Sequence, residues 1–123
     1  MIVEESLSGG YAPPLVVRAQ GFDRILPAGP PYRIGRDPEC DVVVADTRVS
    51  WQHAVLRVED SHWVLADTGS TNGTFVGDRR VDRIEIDGEC HARLGHPGDG
   101  PVLSCTVRDM SPAAPAGPVT RVT

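Results

Sequence analysis

The sequence predicts an all-β domain with a sandwich or barrel architecture, and three observations lead to this prediction. Short apolar runs alternate with polar residues at the two-residue period of a β-strand. Clusters of Gly, Pro, Asn and Asp separate the runs at roughly 8–12-residue intervals, a spacing typical of β-sandwiches. No stretch keeps the roughly 3.6-residue period of an amphipathic helix for the length that a helix needs. With 123 residues, the chain has the length of one domain.

The composition argues against two broad classes of binding protein. The net charge is −5 and the pI is about 5.2, whereas a general nucleic-acid or anionic-membrane binder needs a basic face. No run approaches the roughly 18 apolar residues of a membrane helix, and the acidic N-terminus has no leader-like apolar segment. All twelve basic residues are arginine, so each can still hold an oxyanion in a bidentate manner.

The three cysteines predict a reducing compartment, and therefore a cytoplasmic domain. Cys40, Cys90 and Cys105 are odd in number and widely spaced, unlike a disulfide framework. Their spacing matches no zinc pattern, and strand alternation puts Cys90 and His91 on opposite faces. Cys105 lies in an alternating apolar run and is predicted to be buried. We therefore expect no metal and no cofactor.

The first half of the chain predicts a lead-in followed by four short strands. Residues 1–14 show no hydrophobic period and predict a flexible segment. A turn at residues 20–24 and a loop rich in Pro and Gly at residues 27–31 separate the first apolar runs. The predicted strands cover residues 15–19, 25–26, 32–36 and 41–44.

The second half predicts two hairpins, three further strands and a tail. Trp63 and Phe75 lie in apolar runs and are predicted to belong to the core. Residues 110–123 are rich in Pro and Ala and predict a linker or disordered tail, which leaves residues 15–109 as the folded domain. The predicted strands cover residues 53–58, 62–67, 74–76, 79–81, 83–86, 90–94 and 102–107.

Three polar clusters fall in predicted loops and together supply donors for an anion. Arg36 offers a charged fork for two oxygens, and Ser50 offers a neutral hydroxyl. Thr71 adds a hydroxyl and a backbone N–H, and Asn72 adds an amide. This inventory suits a compact dianionic group attached to a peptide, and it contains no nucleophile–base pair. Taken singly, Arg36 could instead form a surface salt bridge, and His53 a packed brace for its loop.

The order and spacing of these clusters resemble the forkhead-associated (FHA) domain over roughly residues 15–109. Each motif is weak alone, but the ordered set on an all-β chain is specific. The matching segments are Tyr32-Arg33-Ile34-Gly35-Arg36, Val49-Ser50-Trp51-Gln52-His53-Ala54, Asp67-Thr68-Gly69-Ser70-Thr71-Asn72-Gly73-Thr74, Asp87-Gly88-Glu89 and Leu94-Gly95.

The resemblance implies an eleven-stranded β-sandwich whose loops at one end bind phosphothreonine peptides. Arg36 and Ser50 would hold the phosphate, and Thr71 would add a contact beside a pocket for the threonine methyl group. Asn72 would bind the peptide main chain. The remaining matches belong to the architecture of the loops, namely Gly35, His53 and Gly73.

The sequence departs from the family pattern at Trp51. The position after the family's serine is commonly a basic residue, so one cation for the phosphate is missing here. Arg48 in the same loop is a candidate substitute, and Trp51 itself could pack on a ligand side chain. Ser70 is a further candidate contact.

Two functions follow from the resemblance and its departure. The first is a non-enzymatic module that binds a phosphothreonine-containing protein, with a Ser/Thr protein kinase as the expected partner. The second is a phospho-independent interaction or oligomerisation module that uses Trp51. We expect no nucleic acid and no direct membrane contact. The arginine-rich sequence with a Pro/Ala tail is also similar to actinobacterial FHA domains that precede other modules, including ABC-transporter ATP-binding proteins. A larger chain could thus tether the domain to a membrane protein.

Overall fold

The computed structural model of the chain describes residues 12–108. Over this range the chain forms eleven β-strands in two sheets and no helix. Most of the predicted lead-in and the whole predicted tail lie outside the described residues. Residues 12–14 contact the sandwich, because Ala12 is buried and the Pro13 carbonyl accepts a hydrogen bond from the Trp63 indole at 2.8 Å.

One sheet contains six strands, all paired antiparallel where their register is resolved. Its strand order is β2-β1-β11-β10-β7-β8, which places the last strand of the domain beside the first. The strands are β1 Leu15–Ala19, β2 Phe22–Leu26, β7 Thr74–Val76, β8 Arg79–Val81, β10 Glu89–Leu94 and β11 Val102–Val107.

The other sheet contains five strands in the order β4-β3-β5-β6-β9. Its β3–β4 pair is parallel, and the other neighbours are antiparallel. The strands are β3 Tyr32–Gly35, β4 Val42–Val43, β5 Ala54–Glu59, β6 His62–Asp67 and β9 Arg83–Ile86.

The core lies between the sheets and is built by alternate residues of most of the strands. In β1, Leu15 and Val17 are fully buried, as are Leu103 and Cys105 in β11. Trp63 is the largest buried side chain, with 1% of its surface exposed. Each fully buried large apolar side chain contributes about 1.5–3 kcal/mol, so this interface supplies the rigidity that the end loops need.

Apart from strand ends that differ by one residue, two details of the fold differ from the sequence-based prediction. β2 begins at Phe22, because Gln20 and Gly21 both take positive φ angles, 49° and 84°, and close a two-residue turn. Phe75 was predicted to be core but is only half-buried, because Thr74 points inward and the next side chain of a strand points outward.

Candidate functional site

The site lies where the loop after β4, residues 44–53, meets the loop after β6, residues 68–73. His53 connects the two loops and is fully buried. Its Nδ1 atom accepts a hydrogen bond from the Ser50 N–H at 3.0 Å, and its Nε2 atom donates to the Gly73 carbonyl at 3.0 Å. This pattern requires the neutral tautomer with the proton on Nε2. Burial lowers the pKa of His53 below its ordinary 6.5, which favours the same neutral form.

Asp67 stabilises the second loop through hydrogen bonds to its carboxylate, a role that the sequence did not predict. Its carboxylate accepts hydrogen bonds from the Gly69 and Ser70 N–H groups, both at 2.8 Å. It also accepts from the hydroxyls of Ser70, at 2.5 Å, and Thr74, at 2.8 Å. Burial alone would raise the pKa of Asp67, but the hydrogen bonds outweigh it and the net shift is downward. The ionised carboxylate is therefore part of the loop's structure.

Ser70 lies beneath the loop and away from its solvent face. The side chain is buried, and its hydroxyl donates to Asp67 and accepts from the Gly73 N–H at 3.0 Å. These two bonds use the hydroxyl proton and one acceptor position. Ser70, a candidate ligand contact from the sequence, thus supports the loop from inside.

Gly35 allows the end of β3 to approach the first loop closely. The backbone N–H groups of Arg36 and Asp37 donate to the carbonyls of Ser50 and Trp51, each at 3.1 Å. A Cβ atom at position 35 would lie 2.2 Å from the Trp51 carbonyl oxygen. Only glycine fits this contact without a backbone shift, so the contact fixes where Arg36 leaves the strand.

The two loops and the end of β3 enclose a shallow cleft with a volume of about 310 Å³. Its lining includes four residues that the sequence predicted to bind the ligand, namely Arg36, Ser50, Thr71 and Asn72. It also includes Trp51, where the sequence departs from the family pattern, and Arg48, the candidate substitute for the missing cation. The lining residues are Arg36, Thr47, Arg48, Val49, Ser50, Trp51, Thr71 and Asn72.

Arg36 is an available cation in this cleft. Its Nε atom donates to the Val49 carbonyl at 2.6 Å, which leaves both terminal nitrogens of the guanidinium for a ligand. No carboxylate in residues 12–108 forms an ion pair with Arg36, so the surface salt bridge considered from the sequence is not formed there. The guanidinium carbon lies 5.9 Å from the centroid of the Trp51 ring, within cation–π range.

The hydroxyls of Ser50 and Thr71 both remain able to donate to a ligand. Ser50 Oγ accepts a hydrogen bond from the Thr71 N–H at 3.0 Å, and this bond does not consume the Ser50 proton. The Thr71 N–H is consequently occupied, and its side-chain hydroxyl is the remaining donor. The Asn72 amide donates to the Arg48 carbonyl at 3.0 Å and keeps its own oxygen free within the described part of the chain.

Arg48 is the second cation of the cleft, but it is already paired. Its Nε and Nη2 atoms donate to the two carboxylate oxygens of Asp46 at 3.1 Å and 3.0 Å. These hydrogen bonds lower the pKa of Asp46 to about 2. As positioned, Arg48 does not replace the cation that is missing at Trp51, whose side chain is 54% exposed.

The described residues hold no group of three or more His, Cys, Asp and Glu side chains placed to bind a metal. Cys40, Cys90 and Cys105 are all free and buried. Burial raises the pKa of the Cys105 thiol to about 12, with a smaller contribution from Cys90. Cys90 is buried and His91 exposed, on opposite faces as alternation predicts. These thiols are packing residues.

Comparison with known proteins identifies the family. The family model for the FHA domain matches residues 32–95, from the start of β3 to the glycine after β10. The chain belongs to the FHA family. FHA domains recognise phosphorylated motifs through arginine-containing sites, and the family match spans Arg36, Ser50 and Thr71.

Two relatives resemble this FHA domain over most of its length. The ABC transporter ATP-binding/permease protein Rv1747 of Mycobacterium tuberculosis is 39% identical over 102 residues, which cover 82% of the chain and 12% of that protein. Glycogen accumulation regulator GarA of Mycolicibacterium smegmatis is 37% identical over 92 residues, 74% of the chain and 58% of the relative. The chain therefore spans only part of each relative.

Solved structures match the same FHA fold. The crystal structure of Rv1747 FHA-1 superimposes with a TM-score of 0.75 at 39% identity and covers 79% of this chain and 99% of that one. A structure from a structural and functional analysis of phosphothreonine-dependent FHA domain interactions superimposes with a TM-score of 0.68 at 26% identity, over 79% of this chain and 99% of that one. The predicted all-β sandwich is confirmed.

Proposed function

We propose that this FHA domain binds phosphothreonine-containing peptides and couples a Ser/Thr protein kinase to a partner protein. The observation that carries the proposal is Arg36, a cation of the cleft with two free terminal nitrogens and no carboxylate partner in residues 12–108. A phosphate carries a charge of about −1.5 to −2 and three acceptor oxygens at neutral pH. The Arg36 fork can bind two of those oxygens.

The neutral donors of the cleft complete the proposed phosphate site. Ser50 donates its hydroxyl proton to one phosphate oxygen while its own oxygen still accepts the Thr71 N–H. The Thr71 hydroxyl adds a contact beside the methyl group of the phosphothreonine. Asn72 bridges the two loops through Arg48 and presents its amide oxygen to a main-chain N–H of the peptide.

Trp51 supplies the proposed contact to the peptide beyond the phosphate. The ring is 54% exposed at the rim and lies beside Arg36. An exposed indole offers a large, stiff surface for a neighbouring side chain. With one free cation and a flexible ligand to order, we expect moderate and reversible binding.

The proposed partner is a protein phosphorylated on threonine, or a Ser/Thr kinase that carries its own phosphothreonine. The relative Rv1747 is an ABC transporter protein, which supports a setting in which a larger chain brings this domain close to a membrane. The described residues contain no helix long and apolar enough to cross a membrane. We propose a cytoplasmic role for the domain, since phosphothreonine and reduced thiols belong to that compartment. FHA domains are binding modules, and we propose no catalytic step.

Binding of matched peptides tests this function directly. Isothermal titration should show binding of a phosphothreonine peptide chosen from a degenerate library, and much weaker binding of its phosphoserine and unphosphorylated versions. Arg36→Ala should abolish binding, because it removes the charged fork. Arg24→Ala removes another exposed arginine, which lies in β2 outside the cleft, and this variant should bind as the wild type does. Equal binding of all three peptides would refute the proposal.

The exposed Trp51 also supports a second candidate, a phospho-independent interaction module. In that case a protein partner would bind through the indole and the surrounding rim. Partner binding would then survive Arg36→Ala and Ser50→Ala but fail in Trp51→Ala. The phosphothreonine module predicts the opposite response to Arg36→Ala.

A further inference from the structure

We propose that Asp46 attenuates phosphate binding at this site by holding Arg48 in a bidentate ion pair. The inference rests on the phosphothreonine-binding function proposed above, and it concerns how strongly the same cleft binds. Arg36 and Arg48 are the only cations among the eight lining residues described. One is free and the other is neutralised, so the charge that a phosphate meets is set by Asp46.

The Asp46–Arg48 pair occupies one bidentate edge of the Arg48 guanidinium, the edge formed by Nε and Nη2. Arg48 Nε and Nη2 contact the two carboxylate oxygens at 3.1 Å and 3.0 Å, so an edge that could bind two phosphate oxygens is taken by Asp46, while Nη1 takes no part in the pair. Asp99 also interacts electrostatically with Arg48, but no hydrogen bond between them is found within residues 12–108. Asp46 is therefore the direct competitor of a phosphate for this guanidinium.

A bound phosphate faces two unfavourable alternatives while Asp46 is ionised. If the ion pair stays intact, Arg48 contributes little net charge and the phosphate lies in the field of a nearby carboxylate. If Arg48 moves to the phosphate, a bidentate ion pair is lost and the Asp46 charge is left uncompensated. In both cases the second arginine adds less to binding than a free one would.

The backbone of the loop does not depend on the Asp46 charge. The Asp46 N–H donates to the Val44 carbonyl at 3.1 Å, and the Asp46 carbonyl accepts from the Val49 N–H at 2.9 Å. The Arg48 N–H donates to Asp46 Oδ1 at 2.9 Å, a bond that an asparagine oxygen can also accept. Asp46→Asn should therefore keep the loop and release only the guanidinium.

The test is a comparison of affinities for one phosphothreonine peptide, selected from a degenerate library on the wild-type domain. Asp46→Asn should bind it about tenfold more tightly, the gain expected from one additional charge-assisted contact, with a steeper loss of affinity as salt rises. The double variant Asp46→Asn with Arg48→Ala should lose that gain, because the released guanidinium is absent. Asp46→Ser, which also removes the charge and keeps an oxygen acceptor, serves if the asparagine variant does not fold.

Glu59→Gln provides a matched control for the change in net charge. Glu59 neutralises Arg57 and Arg83 as Asp46 neutralises Arg48. It ends β5, five residues beyond Ala54 and so about 17 Å along the strand from the site, farther than the Debye length in physiological salt of about 8 Å. The Glu59→Gln variant should bind the phosphothreonine peptide with the wild-type affinity.

The outcomes separate this inference from the proposed function. Tighter binding by Asp46→Asn alone, or binding detected only in that variant, supports attenuation by Asp46. Unchanged or weaker binding by a folded Asp46→Asn, or an equal gain in Glu59→Gln, overturns it while phosphothreonine binding stands. Failure of both the wild type and the charge-free variants to bind any phosphothreonine peptide overturns the proposed function and the inference together.

Discussion

His53 Nε2 lies 3.0 Å from the carbonyl oxygen of Gly73, although twenty residues separate the two along the chain. The other ring nitrogen, Nδ1, accepts the Ser50 N–H in the loop that follows β4. One buried imidazole thus joins the loop that carries Ser50 to the loop that carries Thr71 and Asn72. The shape of the cleft depends on that imidazole staying neutral.

Acid should therefore destabilise the domain through His53. Its folded pKa is lowered by burial, so below about pH 6.5 the unfolded chain binds a proton more readily than the folded one. The contribution of His53 to the free energy of unfolding is complete above pH 6.5 and decreases as the pH falls toward the folded pKa. Urea unfolding between pH 7.5 and 5.5 measures this slope.

Variants at two histidines show whether His53 causes this dependence of the unfolding free energy on pH. His53→Gln should lower stability at all pH values and flatten the dependence between pH 7.5 and 5.5. His62→Gln changes an exposed histidine at the start of β6 and should leave the wild-type slope unchanged. A wild-type slope that persists in His53→Gln would assign the pH dependence to other groups.

Removing the Asp67 carboxylate should cost at least about 3 kcal/mol of unfolding free energy, because several buried donors lose a charged acceptor. The side chain is 9% exposed and accepts from two backbone N–H groups and two hydroxyls. Asp67→Ala tests this in a urea titration. Asp82→Ala, at an exposed position, should change stability by less than about 0.5 kcal/mol. Similar losses in the two variants would contradict the role assigned to Asp67.

The lowered pKa of Asp67 also predicts a loss of stability in strong acid. Burial opposes ionisation but the hydrogen bonds from Ser70 and its neighbours prevail, so the folded pKa lies below the ordinary 3.8. This contribution is complete above pH 3.8 and is lost as the pH falls through the folded value. It is therefore separate from the His53 contribution, which changes at higher pH.

Gly35→Ala should disturb the cleft as well as the fold. The new Cβ would lie 2.2 Å from the Trp51 carbonyl oxygen and 3.0 Å from that of Ser50, so the loop must shift. Crowding of this kind typically costs about 1–3 kcal/mol. We expect a lower melting temperature and weaker binding of the phosphothreonine peptide.

Gly98→Ala is the matched control for this substitution. Its Cβ would meet the nearest atom, His96 Cε1, at 3.5 Å, an ordinary van der Waals distance. Both the melting temperature and peptide binding should stay near the wild-type values. If Gly35→Ala behaves in the same way, the close approach of β3 to the loop is not needed for the site.

Local patterns account for most of the strand predictions. Two-residue alternation and glycine-containing turns placed β1 and β6 through β9 within one residue, since these signals act between neighbours in the chain. The start of β2 was misplaced because Gln20 takes a positive φ that its side chain does not favour. Phe75 points outward because it follows the inward-facing Thr74 in the strand. Its apolar neighbours in the sequence did not reveal this alternation.

The sequence by itself determined the all-β class, the position of the polar loops and the presence of Arg36, Ser50, Thr71 and Asn72 in them, because strand period and turn chemistry are local properties. Only the tertiary structure decided which of those groups are available. Each polar side chain has several possible partners among its near neighbours in the chain, and only the folded loops show which of them it contacts. Hydrogen bonds across two or three residues turned Ser70 toward Asp67, placed the Asp67 carboxylate beneath the loop and paired Arg48 with Asp46. The bond from Arg36 Nε to the Val49 carbonyl, thirteen residues away, left the terminal nitrogens of Arg36 open.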